Sequence, residues 1–189
     1  MLIPIGDDNR FRRTVPFITW LLILANIAVF FIELSAGESF ILKWAFIPAR
    51  FLADPGGEWV TVFTSMFMHA GWLHIIGNML FLFIFGDNVE DVFGHFTFLL
   101  FYLVSGTAAT FAQMAISMDS FIPTVGASGA IAGVLGAYVF MFPRSQVRVL
   151  MWFFIVPLPA LFVIGLWILL QVFSQIGSIS DVTQEGGVA

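Results

Sequence analysis

The chain has 189 residues, of which 60% are apolar and only 10% charged, and its mean hydropathy is +1.00. Soluble domains carry about 25% charged residues, so a water-soluble globule is excluded, and 7 Lys and Arg within a net charge of -5 are too few for a basic stripe that would hold nucleic acid. With 0 Cys there are no disulfides, thiolate metal sites or cysteine nucleophile, and the length suits a single membrane domain over 1–189.

Residues 1–13 read as a short N-terminal tail. Beyond them, formal charges divide the chain into five uncharged runs: 14–32, 59–86, 92–118, 120–143 and 149–180. A helix needs about 20 residues to cross a hydrocarbon core about 30 Å thick. Each run can cross once, and none is long enough for two crossings with a turn. The alternating pattern of a membrane β-barrel is absent, so the sequence predicts an all-α bundle with five transmembrane helices. Between the first two runs, 34–57 mixes Glu38, Lys43, Arg50 and Asp54 with Phe40, Ile41, Trp44, Phe46, Phe51 and Leu52. That mixture suits helices lying in the interface better than an ordinary solvated loop. The polar stretch 177–189 reads as a further loop.

Basic residues set the orientation. Arg10, Arg12 and Arg13 precede the first helix, Arg144 and Arg148 lie between the fourth and fifth, and only Lys43 and Arg50 fall on the opposite side. Five against two puts the N-terminus in the cytoplasm and the loops holding Lys43, Asp119 and Asp181 outside. The first run is too long for the apolar region of a cleaved signal peptide, and Leu34-Ser35-Ala36 is a poor cleavage site. The first helix is therefore expected to stay.

Polar groups at membrane depth are costly unless they pair or line a wet cavity, so each is a functional candidate. His69, His74 and Asn78 open the second helix in FMHAGWLHIIGNML, and Ser128 opens the fourth in VGASGAIAG. Alternate helices start on the same face, so His74, Asn78 and Ser128 fall at similar depth near the outer surface. His74 and Asn78 are four apart and share a helix face. His69 and His74 are five apart and cannot both reach one ion unless the helix begins between them, which Gly71 permits. There is no HExxH, and no metal or other cofactor is expected.

Ser128 offers a hydroxyl at a helix N-terminus, where unpaired N–H groups and the dipole favour developing negative charge. Gly126 and Gly129 permit a tight entry turn and a close neighbour. His74 and Asn78 can each donate a hydrogen bond, which completes what acyl transfer needs: a nucleophile and an oxyanion hole. The same segment has a plainer reading. Gly129 and Gly133 form a GxxxG helix-packing surface, and His74 and Asn78 could simply bond between helices. An aspartyl protease is excluded because Asp87, Asp91 and Asp119 only bound the runs. A transporter is disfavoured because no charge lies mid-run to mark an ion path.

The motif HAGWLHIIGNMLFLFIFGDNVEDVFG, followed by GASGAIAG, resembles the rhomboid family of intramembrane serine proteases, and the resemblance extends from Pro16 onward. It implies Ser128 as nucleophile, with its own N–H, His74 and Asn78 as the oxyanion hole and His69 as a supporting polar residue. Gly86, Glu90 and Gly94 are implied to be structural at the inner end of the second helix, and the fifth helix to bend near Pro157 and Pro159 where substrate enters. Implied partners are the lipid bilayer and single-pass membrane protein substrates, cut near the outer end of their helices; the implied location is the plasma membrane of a prokaryote.

Two features depart from the family. Val60 follows Trp59 where the family usually has Arg, which bears on the anchoring of the interfacial loop. The family also takes its general base from a histidine on a sixth helix, and none of His69, His74 and His95 stands in that position; His95 falls at the far end of the membrane. Losing such a member costs about 10⁴ to 10⁶ in turnover. The 189 residues are therefore expected to be inactive alone, to belong to a six-helix parent protease, and to leave an open groove beside the fourth helix. The alternative is a non-catalytic rhomboid-like protein that binds membrane helices.

Overall fold

A computed structural model of the chain describes residues 2–8 and 12–185, with side chains as far as Phe173. Arg10 of the orientation count and residues 186–189 of the expected loop lie outside the described residues. The chain begins with β1 (Leu2–Gly6) and then α1 (Phe17–Ala36). Four short helices follow, α2 (Glu38–Trp44), α3 (Pro48–Ala53), α4 (Pro55–Glu58) and α5 (Thr61–Thr64), and then a 3₁₀ turn, Ser65–Phe67. The long helices α6 (Trp72–Phe93), α7 (His95–Ile116) and α8 (Ser128–Met141) lead to the strands β2 (Gln146–Met151) and β3 (Phe154–Pro159), and α9 (Ala160–Glu185) comes last.

The molecule is mostly helical, and each of the five apolar runs supplies one long helix. Helices α1, α6 and α7 have 20, 22 and 22 residues and are long and apolar enough to cross a membrane. Helix α8, at 14 residues, and the 160–173 part of α9 are apolar but shorter. Short helices occupy most of 38–58, within and just beyond the stretch expected to hold them. Arg50 braces them by an ion pair with Glu58 (2.8 Å) and by donating to the carbonyls of Leu42 and Ala45. The loop thus has an arginine anchor even though position 60 is Val.

The structure departs from the expected helix limits at several places. Helix α1 runs on through Glu33 to Ala36. The second run breaks into α5, the 3₁₀ turn and a loop before the long helix starts at Trp72, and α6 then continues through Asp87, Glu90 and Asp91 to Phe93. Those acids do not stop the helix because each finds a donor. Arg12 pairs with Asp87 at 2.7 Å, and the backbone N–H groups of Arg13 and Thr14 donate to Asp91. The fourth run is helical only from Ser128, and 120–127 is an irregular strap. The fifth run begins as a β-hairpin, so Pro157 and Pro159 lie in β3 and do not bend α9.

The sheet has the order β1-β2-β3 and is antiparallel throughout. Val147 and Val149 alternate with Gln146 and Arg148 in β2, and the two valines are buried against the bundle. Proline is tolerated in β3 because it is an edge strand. Helix α9 then continues to Glu185 across residues that read as a loop. Between α7 and α8 the approach is very close: a Cβ on Gly129 would meet Ala109 Cβ, and one on Gly133 would meet the Ser105 side chain, both below 3 Å. The GxxxG of α8 is therefore a helix-packing surface.

Candidate active site

Backbone hydrogen bonds hold the strap ahead of α8. Phe46 and Thr124 exchange N–H···O bonds of 3.3 and 2.7 Å, and the Ala49 N–H donates to the Ser120 carbonyl at 3.1 Å. The Gly126 N–H donates to the Ser65 carbonyl at 2.9 Å. The interfacial segment and the 3₁₀ turn thereby determine where α8 starts. Gly126 has φ 134°, a conformation that side-chain-bearing residues rarely adopt. Ser128 is the first residue of α8, and its N–H is among those that a helix leaves without an intrahelical partner.

Gly126 locates the other groups. A Cβ built there would lie 2.9 Å from Cε1 and 3.0 Å from Nε2 of His74, and 3.5 Å from Oγ of Ser128. An imidazole and a hydroxyl therefore flank a space too small for a methyl group. His74 sits on the first turn of α6, and Asn78 lies one turn along the same face. Asn78 is fully buried, and neither its carbonyl oxygen nor its amide nitrogen has a partner. A buried unpaired amide costs about 1–3 kcal/mol.

His69 lies outside α6, in the loop that Gly71 separates from it. The helix does begin between His69 and His74, and their rings come to 5.0 Å between centroids. His69 is buried, neither ring nitrogen has a partner, and its pKa is pushed down to about 3, by burial first and the neighbouring His74 second. It is a neutral imidazole. Its loop is held by Glu33 of α1, whose buried carboxylate accepts the His69 backbone N–H at 3.1 Å. Among the described residues no group of three or more His, Asp or Glu could hold a metal ion.

Two cavities flank these groups. One of about 260 Å³ runs beside α8, lined by Gly126, Ser128, Gly129 and Ala132 together with Ala109 of α7 and Gln171 of α9. This cavity beside the fourth helix has α7 and α9 as its other walls. The other, of about 600 Å³, is lined by Ala70, Gly71, His74 and Gly77 with Trp167, Leu170 and Gln171. Trp167 and Gln171 line both. Sequence reading passed over Glu33, Trp167 and Gln171. The available signals were a carboxylate at the edge of an apolar run and an amide inside one.

The opposite end of α6 is a separate polar centre. Glu90 is fully buried and accepts the N–H groups of Ile18 (2.9 Å) and Thr19 (2.7 Å), the Thr19 hydroxyl (2.7 Å) and the His95 ring. Ile18 and Thr19 are in the first turn of α1, so Glu90 caps one helix from another. Gly86 lets α1 approach, since a Cβ there would meet the Thr19 side chain at 3.1 Å, and Gly94 ends α6 at φ 76°. His95 thus lies at the far end of α6 from His74.

Helices of this length and apolarity, with half-buried His74 and Ser128 and a buried Asn78 toward one end, define a multi-pass helical membrane protein. Residues 56–188 match the Rhomboid domain family model, and the chain belongs to the rhomboid family, one of intramembrane proteases. It is 32% identical over 141 residues to the protein named "Putative rhomboid protease YdcA" of Bacillus subtilis, covering 75% of this chain and 70% of that protein. The rhomboid protease GluP of the same organism is 33% identical over 135 residues, or 69% of this chain and 26% of GluP. Rhomboid-like protein 11, chloroplastic, of Arabidopsis thaliana is 30% identical over 133 residues, 70% of this chain and 45% of that protein. The match thus spans 26% of GluP and 45% of the Arabidopsis protein, less than half of either.

Proposed function

We propose that the chain carries the nucleophile and oxyanion hole of a serine endopeptidase that cuts transmembrane segments of single-pass membrane proteins. In this reading Ser128 Oγ attacks the scissile carbonyl carbon and its proton passes to a base. The carbonyl π electrons move onto oxygen, and the oxyanion accepts hydrogen bonds from Ser128 N–H, His74 and Asn78. Donors aimed at charge that develops only in the transition state lower the barrier rather than merely tighten binding. The observation that carries this reading is the pairing of His74 and Ser128 across Gly126, with the unpartnered Asn78 amide one turn away.

The 189 residues contain 3 His. His95 is engaged with Glu90, His74 is assigned to the oxyanion, and His69 lies behind His74. No imidazole is left to take the serine proton, so we expect this chain to be inactive unless a longer protein supplies a further histidine. The excess of basic residues around Arg12, Arg13, Arg144 and Arg148 supports a cytoplasmic N-terminus, with the Ser128 end facing outward from a prokaryotic plasma membrane. The competing reading, a non-catalytic helix binder, draws on the missing base but leaves the unpaired Asn78 amide without a purpose.

A fluorophosphonate probe tests both halves. The isolated chain should label weakly at Ser128; strong labelling would refute the inactive assignment. In a form extended to include a further histidine, Ser128→Ala should abolish cleavage of a transmembrane reporter. Cleavage that survives this change would sink the proteolytic reading.

A further inference from the structure

The β2–β3 hairpin has an aromatic tip that nothing in the bundle covers. Trp152, Phe153, Phe154 and Ile155 are 77%, 92%, 73% and 60% exposed. The two strands pair Met151 with Phe154, so Trp152 and Phe153 form a two-residue turn. Trp152 has φ 56° and is the one described residue other than glycine with positive φ. Hairpin turns of this size put Gly or Asn at such a position, because the backbone there penalises a side chain. A large indole held at that angle in full exposure marks a site where the side chain itself is needed.

The surroundings say what it meets. Only residues 142–145 separate α8 from β2, and β3 runs directly into α9, so the hairpin cannot move far from the ends of two apolar helices. Its inner face looks onto the bundle. Leu2, which pairs with Met151 beside the turn, lines a small apolar cavity of about 80 Å³ with Val149, Leu158, Phe81, Leu166 and Leu170. Leu166 and Leu170 lie two to three turns into α9 from its start at Ala160, so the tip end of the sheet stands beside the apolar part of α9 rather than beyond its end. The charged residue of the sheet, Arg148, lies away from the tip, and no charge occurs from Val149 to Ser180. Trp and Phe on such a surface match the boundary between headgroups and acyl chains, where an indole keeps its apolar body in lipid and its N–H near water.

We propose that the β2–β3 turn is a lipid-inserted anchor: Trp152, Phe153 and Phe154 enter the bilayer beside α9 and fix the base of that helix. The occupant is the surrounding lipid, and the inference does not depend on the catalytic reading. Because α9 carries Trp167 and Gln171, which line both cavities at Ser128 and His74, an anchor at its base also steadies one wall of the site.

The chain has 0 Cys, so single-cysteine variants label cleanly. The test places an NBD fluorophore at Phe153→Cys, and at Asp119→Cys as an exposed loop reference. Both proteins are reconstituted in phosphatidylcholine/phosphatidylglycerol vesicles. Emission at position 153 should be blue-shifted relative to 119, and 5-doxyl-phosphatidylcholine should quench it at least twofold more strongly than aqueous iodide does. Iodide quenching at 153 equal to that at 119 would overturn the proposal by placing the tip in water. Protection from both quenchers would overturn it by showing that protein, a second copy included, covers the tip.

Discussion

A methyl group at position 126 would have to enter the space that His74 and Ser128 flank, on a backbone at φ 134° that resists any side chain. Sequence spacing could not reveal this, because Gly126 is only a small residue near a serine until α6 is brought alongside. Gly126→Ala is therefore expected to cost about 2 kcal/mol of stability through backbone strain and displaced packing. Gly77→Ala serves as the control, since a Cβ there meets nothing within 4 Å, and it should be neutral or slightly stabilising. Thermal unfolding in detergent compares the two, and equal midpoints would mean that the crowding at Gly126 is not present. The identities of His74, Asn78 and Ser128 were legible because polar groups stand out in apolar runs. Glu33 was not, because its partner is a backbone N–H from a distant loop.

Among the elements, α8 carries both a tightly packed glycine face and Ser128. Its glycine face lies against α7, where a Cβ on Gly133 would come within 2.5 Å of both Oγ and Cβ of Ser105. Gly133→Val should cost about 1–3 kcal/mol by overpacking, whereas Gly136→Ala, with nothing within 4 Å, should gain about 0.5–1 kcal/mol in helix propensity. Opposite shifts of the unfolding midpoint are the expected result, and a tolerated Gly133→Val would mean α7 and α8 are less tightly packed. The small-residue stripe is thus divided: Gly129 and Gly133 serve the α7 contact, while Gly126 lies against His74 and Ser128. The β-hairpin was missed for a physical reason. An uncharged apolar run carries no mark of whether it is helix or buried strand, and β-branched Val147, Val149 and Val156 in an alternating pattern were the available clue.

For the molecule as a whole, the N-terminal segment is tied by buried polar groups to the end of the bundle where Glu90 lies. Asp7 accepts from Tyr138 Oη (2.7 Å) and Asn88 Nδ2 (2.8 Å), and its pKa is pushed up to about 6, chiefly by burial and in part by the charge of Asp87. The unfolded carboxyl titrates near 3.8, so the folded state holds the proton more tightly between the two values. Stability from this group is complete below about pH 4 and is lost as the pH rises through 6, by up to about 3 kcal/mol. Asp7→Asn should remove that slope: the difference in unfolding midpoint between wild type and variant should change between pH 4 and 7 and stay flat above it. A constant difference across that range would place Asp7 in solvent.

The amino-acid sequence alone determined that this is a multi-pass membrane protein, since apolar runs of membrane length need no partner to be recognised. It also picked out Ser128, His74 and Asn78, because a polar group in lipid is costly wherever it sits. Tertiary structure decided the rest: where α6 and α8 start, that Glu90 caps α1, that 146–159 folds as a hairpin, and that one glycine separates imidazole from hydroxyl. Those outcomes depend on hydrogen bonds and steric contacts between residues tens of positions apart, and such contacts exist only once the helices have packed.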